Sequence, residues 1–245
     1  MGIDPRGAGM HSSKRSIVCV LVDFDGTIAP DDPTDRVLER FADSSWRDVE
    51  AAWQRGDSTS RDCLARQTAL LRATPAALDE MISTIRIDPG FPAFIDFCRH
   101  RAIEVKIVSD GFDRIVSAAL TSARLSVPFF ANRLEWKGGD QWRLGLPHFQ
   151  SRCRMSSANC KCSHTQWSPS RSHVVIGDGR SDFCMSMRAD FVIARGRLAD
   201  YCHENGKPYA TYENFHEVTA RLSSWLAPST HAAAKMLGLS IPAAP

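Results

Sequence analysis

No stretch near the amino terminus stays apolar for more than six residues; the longest there, Ile17 to Val22, ends in Asp23. A membrane span needs about 20 apolar residues and a signal-peptide core about 7–15, so this run serves as neither. A cytoplasmic location without a membrane partner is the expectation. An excess of either charge is equally lacking: 30 Lys and Arg stand against 28 Asp and Glu, for a net charge of +2 at pH 7. No basic field is available to make nucleic acid a partner, and small or weakly charged substrates remain open. Cysteine is sparse as well. Eight in 245 residues is well below the density of secreted disulfide scaffolds, so reduced thiols are expected. Internal repeats are missing, and low-complexity sequence is confined to the two ends.

What is there is the composition of a packed globular protein, 43% hydrophobic and 24% charged, long enough for one large domain or a medium domain with an insertion. Residues 1–15, with Gly2, Pro5, Gly7, Gly9 and a second Met at position 10, read as a flexible leader or tag. Residues 228–245, rich in Ala and Pro, read as a tail.

Ile17 to Val22 is a β-branched apolar run of the kind buried on both faces in a parallel sheet. Ile103 to Val108, His173 to Ile176 and Phe191 to Ala194 repeat the pattern. Amphipathic stretches follow, Phe112 to Arg124 and Ser181 to Arg188, so strands and helices alternate as in an α/β fold. Asp23, Ser109 and Asp178 all fall at carboxyl ends of these strands, the edge where open α/β sheets bind ligands. Residues 31–87 lack strand patterning; they carry apolar positions at helical spacing and helix starts at Ser58 to Asp62 and Thr74-Pro75. Asp88-Pro89-Gly90 closes that insertion, and Arg133 to Trp136 with Gln141 to Leu144 reads as a β-hairpin. Trp46 and Trp53, seven apart, read as helix core.

Asp23-Phe24-Asp25-Gly26-Thr27 directly after a buried strand carries the chemistry. Two carboxylates two residues apart on a sharp turn can divide labour, one attacking while the other shuttles a proton. Gly26 lets the backbone turn away, and the Thr27 hydroxyl can donate to an anionic oxygen.

These residues resemble the phosphatases of the haloacid dehalogenase superfamily, whose four short motifs can be placed across roughly residues 17–225. The resemblance implies a Rossmann-like parallel sheet flanked by helices, its core at 16–30 and 88–227, with a small helical cap at 31–87 between the first two core strands. It implies that Asp23 is the nucleophile forming an aspartyl-phosphate and Asp25 the general acid/base. Thr27, Ser109, Asp110 and Gly111 are implied to bind phosphate. The third motif is a lysine that neutralises Asp23 and the phosphate; Lys106 lies inside a strand and Lys137 in the hairpin, so position favours Lys161. In Gly177-Asp178-Gly179-Arg180-Ser181-Asp182, Asp178 and Asp182 are implied to hold Mg²⁺ with Asp23 and the main-chain carbonyl of Asp25. Converging carboxylates need such a hard divalent cation to offset their repulsion.

A narrower resemblance surrounds Lys161. Cys153, Cys160 and Cys162, with His148 upstream, are similar to the Cys-rich run of the methionine-salvage 2-hydroxy-3-keto-5-methylthiopentenyl-1-phosphate phosphatase-like family and of phosphoethanolamine/phosphocholine phosphatases. The helical insertion is similar to the cap of phosphoserine phosphatases, and Asp32 matches an acidic substrate-binding position at the cap entrance. The second motif, Ser109-Asp110-Gly111, departs from a common Ser-Gly-Gly. The expected activity is therefore Mg²⁺-dependent hydrolysis of a small phosphomonoester, an enediol phosphate of methionine salvage, with phosphoserine or phosphoethanolamine/phosphocholine as alternatives. From another class, a phospho-accepting signalling or binding protein without turnover would also end a strand in Asp; the cap and Asp25 argue against it. Cys153, Cys160, Cys162 and His164 offer metal-ligand atoms without a Cys-x2-Cys knuckle, so free thiols or a redox-labile pair are expected ahead of a structural metal.

Overall fold

A computed structural model describes residues 17–227; the leader expected at 1–15 and the tail expected at 228–245 lie outside the described residues. Ile17–Val22 forms β1, with Cys19 to Val22 completely buried, as a central strand of uninterrupted apolar residues should be. Around it stand β2 (Glu104–Phe112), β3 (Phe129–Gly138), β4 (Gln141–Gly145), β5 (Arg171–Gly177), β6 (Phe191–Ala194) and β7 (Tyr209–Thr211), in the spatial order β4-β3-β2-β1-β5-β6-β7. All pairings are parallel except β3 with β4, which is the expected hairpin.

The chain adds β2, β3 and β4 on one side of β1 and then returns to add β5, β6 and β7 on the other. Connections after β1 and β5 therefore diverge, and a crevice opens at their carboxyl ends. Asp23 N–H donates to the Ile176 carbonyl at 2.9 Å, holding the two strand ends together at that point.

Five helices lie between β1 and β2, and the first four make up the inserted segment: α1 (Pro33–Phe41), α2 (Trp46–Arg55), α3 (Ser60–Leu70) and α4 (Pro75–Ser83). Three of them start on side chains that accept from an otherwise orphaned amide: Asp32 from Asp35 N–H at 3.0 Å, Thr59 from Asp62 N–H at 3.1 Å and Thr74 from Ala77 N–H at 3.3 Å. Pro33 and Pro75 fill first-turn positions, where a missing N–H costs nothing. Trp142 on β4 donates its indole N–H to the Ala73 carbonyl at 2.9 Å, so the hairpin buttresses this helical segment.

Among the described residues, α5 (Phe91–His100), α6 (Asp113–Ser122), α7 (Phe183–Ser186), α8 (Gly196–Glu204) and α9 (Phe215–Leu226) complete nine helices flanking the sheet. Asp88 of the breaker accepts from Gly90 N–H at 2.7 Å and from Phe215 N–H at 3.2 Å, pinning the start of α5 to the start of α9. Phe215 then packs edge-on against Phe91 and Phe94, with ring centroids 4.9 and 5.3 Å apart, while Phe91 and Phe94 stack at 6.1 Å.

The elements differ from expectation in four places. β2 runs past Val108 to Phe112, because β3 resumes pairing at Phe112–Asn132 beyond a register shift. β3 begins at Phe129, four residues before the hairpin pattern becomes visible, and β7 is a three-residue edge strand too short for periodicity to reveal. The stretch from Ser181 to Arg188 is a 3₁₀ turn and a single helical turn rather than a full helix.

Candidate active site

Asp23, at the end of β1, is buried, and its Oδ1 accepts from Phe24 N–H at 2.7 Å and lies 2.8 Å from Lys161 Nζ. Lys161 sits in a 3₁₀ turn (Lys161–His164) and is 3% exposed. Its ammonium donates to Ser181 Oγ at 2.8 Å and to Asp182 Oδ1 at 2.7 Å as well, so its three hydrogens have three oxygens. Burial works to lower the Lys161 pKa, but the carboxylates of Asp182 and Asp23 outweigh it and hold the ammonium above the ordinary lysine range. Lys106, the competitor, instead donates to the His164 carbonyl at 3.0 Å and pairs with Glu104 at 3.0 Å.

Asp178 and Asp182 follow β5, and a tight loop turns both back toward Asp23. Asp182 Oδ2 accepts from Asp178 N–H at 3.2 Å and Gly179 N–H at 3.3 Å. Asp23, Asp178 and Asp182 each place an oxygen within 4.8 Å of the others, the one group among the described residues able to hold a metal ion. Burial, reinforced by Asp182, pushes Asp178 up to about 6. Burial together with the Asp182 and Asp178 carboxylates pushes Asp23 well above the ordinary carboxylate range despite Lys161. Three carboxylates with one ammonium leave negative charge uncompensated in a largely buried cluster, and an oxygen-only donor set of this kind suits a hard cation such as Mg²⁺.

Asp25 points to the other side of the turn. Its Oδ1 accepts from Thr34 N–H at 3.2 Å and Thr34 Oγ1 at 2.9 Å, and its Oδ2 accepts from Ser109 Oγ at 2.9 Å. Gly26 adopts φ +70°, and a Cβ there would overlap the Asp178 carboxylate, so a side chain at 26 is barred on both counts. Gly111 similarly leaves room for Thr34 and Asp25, and its N–H donates to Ser109 Oγ at 2.9 Å. Thr27, expected to meet phosphate, instead donates its hydroxyl to Asp178 Oδ1 at 3.1 Å.

A cavity of about 330 Å³ opens over this cluster, floored by Asp23, Asp25, Asp110, Gly111 and Asp178. The helical segment supplies its far wall through Asp32, Asp35, Glu50, Trp53, Gln54 and Gln67. Trp46 is core as expected, but Trp53 lines the cavity. Glu50 is fixed in that wall by Gln54 Nε2 at 2.6 Å and Gln67 Nε2 at 3.0 Å. Of this wall sequence reasoning singled out Asp32 for the substrate and missed the other polar residues, because carboxylates and amides on a helix look like ordinary solvated positions. It also missed Arg195, whose guanidinium donates to the Gly26 carbonyl and steadies the turn, and Asn159 beneath Ser109. The cysteines are free: Cys162 and Cys184 stand 3.1 Å apart as thiols.

Residues 20–187 match the family described as haloacid dehalogenase-like hydrolase. Proteins named 2-hydroxy-3-keto-5-methylthiopentenyl-1-phosphate phosphatase from Geobacillus thermodenitrificans and Brevibacillus brevis are 29% and 30% identical to the chain. The alignments cover 85% and 84% of this chain and 96% and 94% of those relatives. A phosphoserine phosphatase structure from T. onnurineus superposes with a TM-score of 0.63 at 17% identity, over 86% of this chain and 97% of that one. A phospho-aspartyl intermediate analogue of phosphoserine phosphatase gives the same score at 21% identity, over 84% and 99%. At that identity the structural likeness speaks for the fold.

Proposed function

The chain belongs to the haloacid dehalogenase-like hydrolases and is a phosphoric monoester hydrolase, and from that premise we propose that it acts on a small enediol phosphate of methionine salvage through an aspartyl-phosphate at Asp23. The observation that carries the substrate is the likeness to proteins of that name over nearly their whole length. The cavity agrees: at about 330 Å³ it suits a small leaving group.

Asp23 Oδ1 is committed to Lys161 and to Phe24 N–H, so Oδ2 is the atom left to attack phosphorus. As that bond forms and the ester P–O bond breaks, Asp25 gives the leaving oxygen its proton. Asp25 then takes a proton from the water that attacks the aspartyl-phosphate, which releases phosphate, frees the Asp23 carboxylate and returns Asp25 to the acid form that began the cycle. Lys161 and the loop at Ser109 to Gly111 would hold the phosphoryl oxygens by sharing hydrogens that otherwise go to Ser181, Asp182 and Asp25, and helices α1 to α4 act as a cap that excludes water. Asp23, Asp178 and Asp182, with the Asp25 carbonyl, would hold Mg²⁺, which when bound supplies charge neutralisation of the phosphoryl group.

Removing metal with EDTA is expected to silence turnover, and Mg²⁺ to restore it while Ca²⁺ does not, because the larger and looser Ca²⁺ shell misplaces nucleophile and phosphate. Released phosphate measured with each ion checks this. Asp25→Asn should slow alkyl phosphates by roughly 10²- to 10⁴-fold. The loss should be smaller on p-nitrophenyl phosphate, whose leaving group needs little protonation; an equal loss on both would remove Asp25 from the acid role.

The substrate is tested by kcat/KM on the enediol phosphate, phosphoserine, phosphoethanolamine and a phosphopeptide. Asp32, Asp35 and Glu50 line the wall, so a leaving group bearing a carboxylate should fare poorly and phosphoserine should rank below the enediol. A second reading, an amine-bearing leaving group such as that of phosphoethanolamine or phosphocholine, is favoured by the placement of those carboxylates beside Trp53. Preference for the phosphopeptide would defeat the small-molecule reading.

A further inference from the structure

Asn159 is completely buried, yet its main-chain N–H and both polar atoms of its side chain are engaged. Its main-chain N–H donates to Asp110 Oδ1 at 2.8 Å. Its Nδ2 donates to the Ser109 carbonyl at 2.8 Å and to the Phe130 carbonyl at 2.9 Å. With both amide hydrogens given to carbonyls, Oδ1 can only accept, so His164 Nε2, 2.6 Å away, must be the donor. His164 is held for that task by its ring stacked on Phe130 with centroids 4.1 Å apart.

The position of Asn159 in the chain matters as much as its contacts. It lies two residues before Lys161 and reaches across to the second motif, where the Ser109 hydroxyl donates to Asp25 Oδ2 at 2.9 Å. Asp110, next to Ser109, is held from the far side by Asn132 Nδ2, which donates to its carbonyl at 2.8 Å. One side chain thus ties the segment that carries Lys161 to the strand end that carries Ser109 and Asp110.

We infer that Asn159, oriented by His164, is a positioning residue that sets Ser109 and the neighbouring amides at the distance from Lys161 that a phosphoryl group requires. The inference rests on the assignment of Ser109 to Gly111 and Lys161 to the phosphoryl site, and it is independent of the leaving group. No substrate contact is asked of Asn159 itself. Its effect is on the geometry of the groups that touch the phosphate.

The test uses inorganic phosphate as a competitive inhibitor of p-nitrophenyl phosphate turnover in Mg²⁺. Asn159→Ala should raise the phosphate Ki roughly tenfold and lower kcat, the scale expected when a buried hydrogen-bonding partner is lost. His164→Leu should raise Ki in the same direction, whereas His164→Gln, whose amide can donate to Oδ1, should restore it. A purely structural role lowers the folded, active fraction and hence kcat, but leaves Ki unchanged. The inference is overturned if Ki stays at the wild-type value in folded Asn159→Ala, or if the Leu and Gln variants at 164 cannot be told apart; the His164 pair decides the matter if Asn159→Ala does not fold. Failure of the enediol substrate reading would show separately, as poor turnover of that ester with the order of phosphate Ki values intact.

Discussion

Asp23→Asn is expected to remove turnover by at least about 10⁴-fold on every phosphomonoester, the scale on which single nucleophile deletions act in other covalent enzymes. An amide oxygen does not attack phosphorus, and the same change removes one of three carboxylates that would hold the cation. Stability should move the other way. Burial and the adjacent Asp182 and Asp178 carboxylates raise the Asp23 pKa, so in the metal-free protein the ionised carboxylate costs folding free energy once pH rises above the ordinary aspartate value. The Tm of Asp23→Asn in EDTA at neutral pH should therefore equal or exceed that of the wild type. A dead variant with an intact or raised Tm separates lost chemistry from lost fold, and residual activity above a few per cent would remove Asp23 from the nucleophile role.

Lys161→Ala should harm both properties at once. The ammonium compensates Asp23 and Asp182, which are 4% and 0% exposed, and its removal leaves two buried carboxylates facing one another without a cation. Deleting one partner of a buried ion pair costs about 3–5 kcal/mol, so the metal-free variant should melt well below the wild type. Mg²⁺ should recover part of that stability, since it supplies positive charge to the same carboxylates, but it should not recover activity. Thermal melts with and without Mg²⁺, beside turnover at saturating Mg²⁺, check the pair of outcomes. Wild-type turnover by Lys161→Ala would direct attention to another cation, and Lys106 is poorly placed for it because its ammonium is occupied by Glu104 and the His164 carbonyl.

The central strands and the residues at their ends were legible because their physics is local. Ile17 to Val22 is apolar on both faces and ends in a carboxylate pair, and His173 to Ile176 ends in the Gly177–Asp182 loop, so composition and order alone point to one sheet edge. The meeting of Lys161 with Asp23 and Asp182 could be expected only through resemblance, because a lysine 138 positions after Asp23 carries no local mark of its partner. Asn159 escaped altogether: an Asn in a loop usually forms a turn, and its four partners lie on β2, on β3 and beyond Lys161. Thr27 was legible as a hydroxyl near the site but not in its partner, since the return of Asp178 over Gly26 depends on the close approach of two loops far apart in sequence. Trp53 was assigned to the core because spacing of seven on a helix marks a shared face without saying whether that face meets protein or a cavity.

The most direct test is to trap the covalent state. Asp25→Asn, mixed with p-nitrophenyl phosphate and Mg²⁺ and quenched in acid during turnover, should carry one phosphoryl group on the peptide that contains Asp23, since attack survives with that leaving group while hydrolysis of the aspartyl-phosphate is slowed. The same peptide from the Asp23→Asn, Asp25→Asn double variant should be unmodified. Phosphate release without any labelled Asp23 peptide, or label on a different residue, would contradict the mechanism.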